Sequence, residues 1–398
     1  MFQPTASQVI FHRGADKSVF NSPRGHYRGD FLFYLIGGLT MPIYNFSAGP
    51  AVMPKPVIEQ IQRDLPNLNG SGMSILEISH RSSLFDTILA EAKQDLRDLM
   101  RIPDDYEILF FQGGGTGQFA AAPLNLATLH HAIALLDSGH WANRAGAEAA
   151  KLGVAVTTLA STQADHYTRL PHLPTTIPTE SYDYLHLTVN NTIEGTTYHT
   201  IPQSSDLPLV ADMSSNFLAQ PYNVTDFDVI FAGAQKNLGP AGVTVVIIKK
   251  AIVKPVDHLP SMLDYHLFMT KNSLYNTPPV FAIYAAGLVL KWLKAQGGVA
   301  GIYQRNQEEA AKLYDFLDHS KLFYNPVHHA DRSLTNIPFM TGDAQLDAEV
   351  VETAAQEGLM NLKGHRSVGG LRASFYNAMP MTGVDALVNF LHHFEQQR

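Results

Sequence analysis

One lysine stands out by its surroundings. It lies in Asp228-Val-Ile-Phe-Ala-Gly-Ala-Gln-Lys236-Asn-Leu-Gly-Pro-Ala-Gly242, just after an apolar run and among glycines and small residues. Burial lowers a lysine's pKa and frees the neutral amine that a Schiff base requires. Small neighbours leave room for a flat ring. A solvated loop lysine is the commoner explanation for an isolated Lys, but the paired glycines and the lack of nearby charge argue against a surface loop.

A second pattern is Glu107-Ile-Leu-Phe-Phe-Gln-Gly-Gly-Gly-Thr-Gly-Gln118, which reads as strand, glycine turn and helix start. Glycines let backbone N–H groups approach an anion, and a helix N-terminus favours phosphate there. The spacing is neither a dinucleotide fingerprint nor a Walker motif. A tight turn with no ligand is the alternative. The third pattern, Leu209-Val-Ala-Asp212-Met-Ser-Ser215, ends an apolar run on a carboxylate. That is costly unless the group is paired. Asp212 could hold a pyridinium N–H and so keep a ring electron-poor, or could cap the next turn. Trp141 follows a strand and Gly139-His140, placed either to stack on a flat ligand or to fill the core. Finally His80-Arg81, His365-Arg366 and Arg372 are candidates for gripping an anionic substrate, since Arg binds carboxylate and phosphate bidentately; scattered surface charge is the alternative. Asp104-Asp105 and His328-His329 lack metal-ligand spacing, and no metal is expected.

The elements that must position these groups alternate. Apolar runs at 107–111, 132–136, 154–159, 184–189, 207–211, 229–232 and 243–248 read as strands, several without polar alternation, as a sheet buried on both faces requires. Helical patterns at 116–129, 141–151, 279–294 and 301–318 lie between or after them. This is an α/β chain with βαβ units and a mostly parallel sheet. Beyond about residue 320, short strands (336–340, 371–375) mix with helices (344–357, 383–397), which reads as a smaller α+β domain. The expected division is a large domain over 56–300 and a small one over 301–398, with 41–55 returning to the small domain or the cleft. Residues 1–40 read as an upstream extension, with a targeting role and a docked arm as the alternatives.

Composition narrows the class. The chain has 398 residues, 45% hydrophobic and only 16% charged, so a mainly disordered protein is excluded. The net charge is −8, against a global nucleic-acid binder. With 0 cysteines there is no thiolate nucleophile, disulfide or Cys-ligated metal. No apolar run reaches the ~18 residues of a membrane span, and 31–39 (FLFYLIGGL) falls short. A reducing, cytoplasmic location fits, with neither nucleic acid nor membrane as partner.

Together the segments NFSAGPAVMP (45–54), SHRS (79–82), FQGGGTGQFAAAPLNL (111–126), GHWA (139–142), DMSSN (212–216), AGAQKNLGPAG (232–242), YNTPPVFAIY (275–284) and KGHRSVGGLRASFYNAMP (363–380) resemble the phosphoserine aminotransferases. These are class-V, fold-type I enzymes, homodimeric and dependent on pyridoxal 5′-phosphate. The resemblance runs from Met41 to the C-terminus. It implies a seven-stranded, mostly parallel sheet and a smaller C-terminal domain. It implies that Lys236 links to the cofactor aldehyde, that Asp212 pairs with the ring nitrogen and that Trp141 stacks on the ring. Gly115, Thr116 and Gln235 would meet the cofactor phosphate or its surroundings, and Thr192 the ring hydroxyl. Asn276 and Thr277 would reach the cofactor phosphate of the partner subunit. Arg372 would hold the substrate α-carboxylate, and His80, Arg81, His365 and Arg366 the phosphate or distal carboxylate, some across the dimer interface.

Thr116 stands where certain relatives carry Arg, and Ala48 where some carry Ser; the first puts one side-chain anion contact in doubt, the second removes one hydrogen bond. The implied reaction converts 3-phosphohydroxypyruvate and L-glutamate to O-phospho-L-serine and 2-oxoglutarate, in serine biosynthesis, with 4-phosphohydroxythreonine in pyridoxal phosphate biosynthesis as a second substrate left open. A cysteine desulfurase is excluded by the missing Cys. A serine– or alanine–glyoxylate aminotransferase, a non-catalytic phosphometabolite-binding protein and a nucleotide-dependent dehydrogenase are the alternatives.

Overall fold

The computed structural model describes residues 42–204 and 206–398; the reading of 1–40 lies outside the described residues. In chain order the elements are β1 (Tyr44–Asn45), α1 (Lys55–Asp64), α2 (Ser83–Met100), β2 (Tyr106–Phe111), α3 (Gly114–Leu126), β3 (Ala132–Asp137), α4 (His140–Lys151), β4 (Ala155–Ser161), β5 (Leu185–Thr188), β6 (Asn190–Asn191), β7 (Thr196–Thr197), β8 (Leu209–Asp212), β9 (Val229–Gly233) and β10 (Thr244–Lys249). They continue with α5 (Tyr265–Thr270), α6 (Val280–Ala295), α7 (Gly298–His319), β11 (Asn336–Phe339), α8 (Ala344–Gln356), β12 (Leu359–Met360), β13 (Leu371–Ser374) and α9 (Met381–Gln396). Among the described residues no helix is long and apolar enough to cross a membrane.

Seven strands form the central sheet in the order β2-β10-β9-β8-β5-β3-β4. Only β10 runs against its neighbours. Side chains alternate across a strand, and here both faces are apolar. Ile108, Phe110, Ile230, Ala232, Val245 and Ile247 pack on one side with Phe85, Leu89 and Leu96 of α2. Leu109, Phe111, Val229, Phe231, Val246 and Ile248 pack on the other with Phe119 of α3, Ala145 of α4 and Phe268 of α5. Two helical layers therefore cover the sheet, which explains the unbroken apolar runs. β2 and β4 are the edge strands, and the side chains of β4 are largely exposed.

Sequence reading passed over α2, whose signals are nevertheless present. Ser82 caps it by accepting the Phe85 N–H at 3.3 Å, and Arg101 ends it in the left-handed conformation. The expected helix over 116–129 runs instead from Gly114 to Leu126. Gly113, at φ +96°, turns the chain earlier than periodicity suggests, and Ala127 leaves helical geometry three residues sooner.

A separate apolar cluster gathers Phe46, Leu313, Phe316, Ile337, Phe339, Val350, Leu371, Ala373, Leu387 and Leu391. Helix α7 feeds both sides: Val299 and Ile302 belong to the sheet core, Ala310 to Leu317 to this second core. The segment 42–55 reaches both the second core and the cleft. Strand β1 pairs with β12, and the Ala51 N–H donates to the Gln235 carbonyl at 2.9 Å, beside Lys236. We propose the domain division near residue 300 on these two cores.

A buried polar seam joins β11 and β13 to the loops at the sheet's edge. Asn190 Nδ2 donates to Asn336 Oδ1 at 2.9 Å, and Asn336 Nδ2 to Ser374 Oγ at 3.0 Å. Gly195, in the turn between β6 and β7, touches the same strand. A Cβ at 195 would lie 2.2 Å from Pro338 Cδ, and its φ is +81°. Gly195→Ala should therefore destabilise the protein by about 2–4 kcal/mol, the joint cost of a left-handed Ala and overpacking. A urea denaturation midpoint giving a loss below about 1 kcal/mol would refute this close packing.

Candidate active site

Strands β2, β3, β5, β8 and β9 all end at one edge of the sheet, because β10 inserts antiparallel between β2 and β9 and leaves those two pointing the same way. In a parallel α/β sheet this carboxyl edge is where ligands bind. Each strand delivers a group to it: the Gly113-Gly114-Gly115 turn, Trp141, the turn bearing Thr192, Asp212 and Lys236.

Lys236 follows β9 by three residues. Its Nζ donates to Thr192 Oγ1 at 3.0 Å and lies 5.9 Å from the centre of the Trp141 ring. Burial pushes its pKa down to about 8, the Asp212 charge opposes this, and the Arg372 charge adds to it. Asp212 closes β8 and is 7% exposed. One carboxylate oxygen, Oδ1, accepts the Ser214 N–H at 2.9 Å. Burial pushes this carboxyl up, while the Lys236 charge and the Ser214 bonds pull it down. The capping and ligand-holding readings of Asp212 are thus compatible, since Oδ1 takes the Ser214 N–H while Oδ2 lies on the side of the Gly115 turn.

Ser214 Oγ in turn accepts the Gly233 N–H at 3.2 Å and so ties the end of β9 to the segment after β8. The first turn of α3 comes close to this pair. A Cβ on Gly115 would sit 3.0 Å from Ser214 Oγ and 3.9 Å from Asp212 Oδ2. Only glycine leaves that approach open. The first N–H groups of α3 meet no side-chain cap at Gly113, and Thr116 is exposed in the same turn. Gln235 is half-buried at the head of the lysine loop. Trp141 Nε1 is buried without a partner among the described residues. A pocket with an indole face, a glycine-lined helix start, a buried carboxylate and a lowered-pKa amine suits a flat, phosphorylated aldehyde.

The cations gather beside it. Arg372 Nη1 donates to the Thr192 carbonyl at 3.2 Å. The His140 and His365 rings are 5.7 Å apart. Both histidines are held below the usual range, first by burial, then by neighbouring cations: Arg144 and Arg366 for His140, and His140, Arg372 and Arg366 for His365. The structure thus groups Lys236, Asp212, Trp141, Thr192, Gly115, His365, Arg366 and Arg372. His80 and Arg81 lie on the approach to α2, where the Arg81 N–H donates to Ser79 Oγ at 3.2 Å. Asn276 and Thr277 lie before α6, where the Thr277 carbonyl accepts from Gln112 Nε2 at 3.3 Å. Among the described residues no hydrogen bond or ion pair joins these four side chains to the Lys236 group. No group of three or more His, Asp or Glu is arranged for a metal among the described residues. Sequence reading missed Arg144 and Glu194. For Glu194 the turn Asn191-Thr-Ile-Glu-Gly195 was the nearest signal, a carboxylate between the short polar strands β6 and β7.

The family model for aminotransferase class-V matches residues 43–387. The phosphoserine aminotransferase of Lactobacillus helveticus is 66% identical over 357 residues, covering 90% of this chain and 96% of that protein. The chain belongs to the phosphoserine aminotransferase family. Solved structures of this family agree in fold. The phosphoserine aminotransferase from Bacillus circulans subsp. alkalophilus aligns with a TM-score of 0.85 at 42% identity, over 90% of this chain and 99% of that one. The pyridoxal-phosphate-bound phosphoserine aminotransferase from Trichomonas vaginalis aligns with a TM-score of 0.81 at 39% identity, over 88% and 100%. The architecture is thus the fold-type I aminotransferase fold that the resemblance implied.

For this aminotransferase, the lowered lysine pKa is measurable. In protein freed of small molecules, acylation of Lys236 scored by mass spectrometry should rise with pH and reach half its maximum at about 8. Asp212→Asn should move that midpoint down, because a neighbouring anion favours the ammonium; Arg372→Ala should move it up. A parent midpoint near the ordinary lysine value of ~10.4 would show a solvated amine.

Proposed function

We propose that this chain transfers an amino group between L-glutamate and 3-phosphohydroxypyruvate, giving O-phospho-L-serine and 2-oxoglutarate, with pyridoxal 5′-phosphate as cofactor. The observation that carries the reading is the Lys236 amine, lowered in pKa to about 8 and set between the Trp141 ring and Asp212. When bound, pyridoxal phosphate supplies an aldehyde for that amine and an electron sink for the substrate's Cα electrons.

The chain's own residues do the rest. Lys236 Nζ, neutral for part of the time at physiological pH, is the nucleophile. Once displaced by the amino acid it would carry the proton from substrate Cα to the cofactor's C4′, acting first as base and then as acid. Asp212 is the group to hold the ring N–H, since it is buried and its Oδ2 lies on the side of the Gly115 turn. Trp141 covers one face of the ring. Thr192, 3.0 Å from Nζ, is the partner for the ring hydroxyl. Gly115, Thr116 and Gln235 border the cofactor phosphate, with backbone N–H groups of α3 as donors. Arg372 holds the α-carboxylate common to both amino acids. His365 and Arg366 receive the phosphate of one substrate and the distal carboxylate of the other. Burial and neighbouring charges hold the histidine pKa values down, so arginine is the constant positive charge here.

His80, Arg81, Asn276 and Thr277 stand apart from this group within one subunit. We read them as donated to the partner's site in a homodimer, which their exposure at Arg81 and Thr277 supports. The enzyme works in the cytoplasm, in serine biosynthesis, and activity on 4-phosphohydroxythreonine extends it to pyridoxine biosynthesis.

Lys236→Ala should abolish turnover and the borohydride-trapped adduct, with ping-pong kinetics in the parent. Arg372→Ala should raise KM for glutamate and for phosphoserine alike by about 10- to 100-fold, the worth of a charge-assisted hydrogen bond. Turnover of serine or alanine as readily as phosphoserine would overturn the substrate assignment.

A further inference from the structure

Glu194 is a buried carboxylate that transamination leaves without a task. It sits in the turn between β6 and β7, two residues after Thr192, and is 8% exposed. Its Oε1 accepts the His140 backbone N–H at 2.8 Å. That N–H opens α4, whose N-cap is Gly139, a residue with no side chain to serve as cap. The carboxylate occupies the space such a side chain would need: a Cβ on Gly139 would lie 2.6 Å from Glu194 Cδ. The helix is thus capped from a neighbouring hairpin. An anion at this end also suits the helix dipole.

The second residue of α4 is Trp141. Among the described residues its Nε1 bonds to nothing, and none of them fixes the indole plane by a hydrogen bond. The ring meets His140 edge-on at 5.2 Å between centroids and Phe119 at 6.4 Å. What sets its orientation is the first turn of α4, and Glu194 anchors that turn.

We propose that Glu194 is the positioning residue for Trp141, capping α4 so that the indole faces Lys236 and the cofactor ring at a fixed angle. Because Thr192 belongs to the same turn, the partner of the Lys236 amine and the orientation of the indole are set by one hairpin. This rests on the stacking role assigned to Trp141, and the test separates the two.

Affinity for pyridoxal 5′-phosphate is measured by titration in four variants: Glu194→Ala, Glu194→Gln, Trp141→Phe and the double Glu194→Ala/Trp141→Phe. The near-UV circular dichroism of cofactor-free protein is read in a Trp292→Phe background, where Trp141 is the single tryptophan of the 2 in the chain. Glu194→Ala should weaken cofactor binding about 5- to 30-fold, the loss of a helix cap, and flatten the indole band. Glu194→Gln, which keeps a carbonyl acceptor, should stay within about 3-fold of the parent. The double variant should bind no worse than Trp141→Phe alone, as expected when one residue acts through the other. Full additivity, a glutamine variant as damaged as the alanine one, or an unchanged indole band in Glu194→Ala would each overturn the proposal. A Trp141→Phe protein that binds as tightly as the parent would remove the stacking role and the proposal with it. Glu194→Met, of similar length without an acceptor, replaces the alanine variant if the cavity prevents folding. The affinity measurements need no change at Trp292.

Discussion

An ammonium group loses much of its solvation when it is packed away from water, and at position 236 only one nearby carboxylate offsets that loss. The result is an amine that spends part of its time unprotonated near neutrality. The other site features act on this balance. Asp212 favours the charged form and Arg372 the neutral one. The two carboxylate oxygens of Asp212 are divided, one on the Ser214 N–H and one toward the cleft. Were Asp212 to pair directly with Lys236, the amine would stay protonated and lose its nucleophilicity. The two are kept as neighbours across the end of the sheet, with Thr192 Oγ1 rather than the carboxylate as the hydrogen-bond partner of Nζ.

That separation is a property of the sheet. Strands β8 and β9 are adjacent and parallel, so the groups at their ends emerge side by side. The Ser214–Gly233 bond then fixes their spacing. The polar seam does similar work for the C-terminal part. Asn190, Ser215, Ser333, Thr335, Asn336, Ser374 and Tyr376 satisfy one another in the interior. A fully bonded buried network tolerates little displacement. It holds β13, and with it Arg372, against the turn that carries Thr192. The Tyr376 hydroxyl extends the seam to the Ala48 carbonyl at 2.9 Å, so the segment before α1 closes the same cleft.

The site's charge runs against that of the whole chain. A net charge of −8 coexists with a local cluster of His140, Arg144, His365, Arg366 and Arg372. An acidic surface disfavours stray nucleic acid and other polyanions, while the cluster draws small dianions to one place.

Much of this was legible in the residues themselves. The sheet strands other than the exposed edge strand β4 were visible as apolar runs because both faces of the sheet are buried there, which removes polar alternation. Lys236, Asp212 and the glycine turn announced themselves because each breaks a local rule: a cation among small apolar residues, a carboxylate ending an apolar run, three consecutive glycines before a helix. Helix α2 was legible only in part, since its cap and apolar spacing are ordinary and carry no chemistry. Glu194 was not, because capping a helix some 54 residues earlier in the chain is a relation no local pattern encodes. Sequence alone therefore determined which groups must leave water and which backbone positions must be glycine, since those follow from the residue's own chemistry. Tertiary structure decided which groups meet: strand order set Asp212 beside Lys236, a hairpin set Glu194 at the start of α4, and the buried seam brought Arg372 to Thr192, because distances between remote residues are fixed only when the chain is packed.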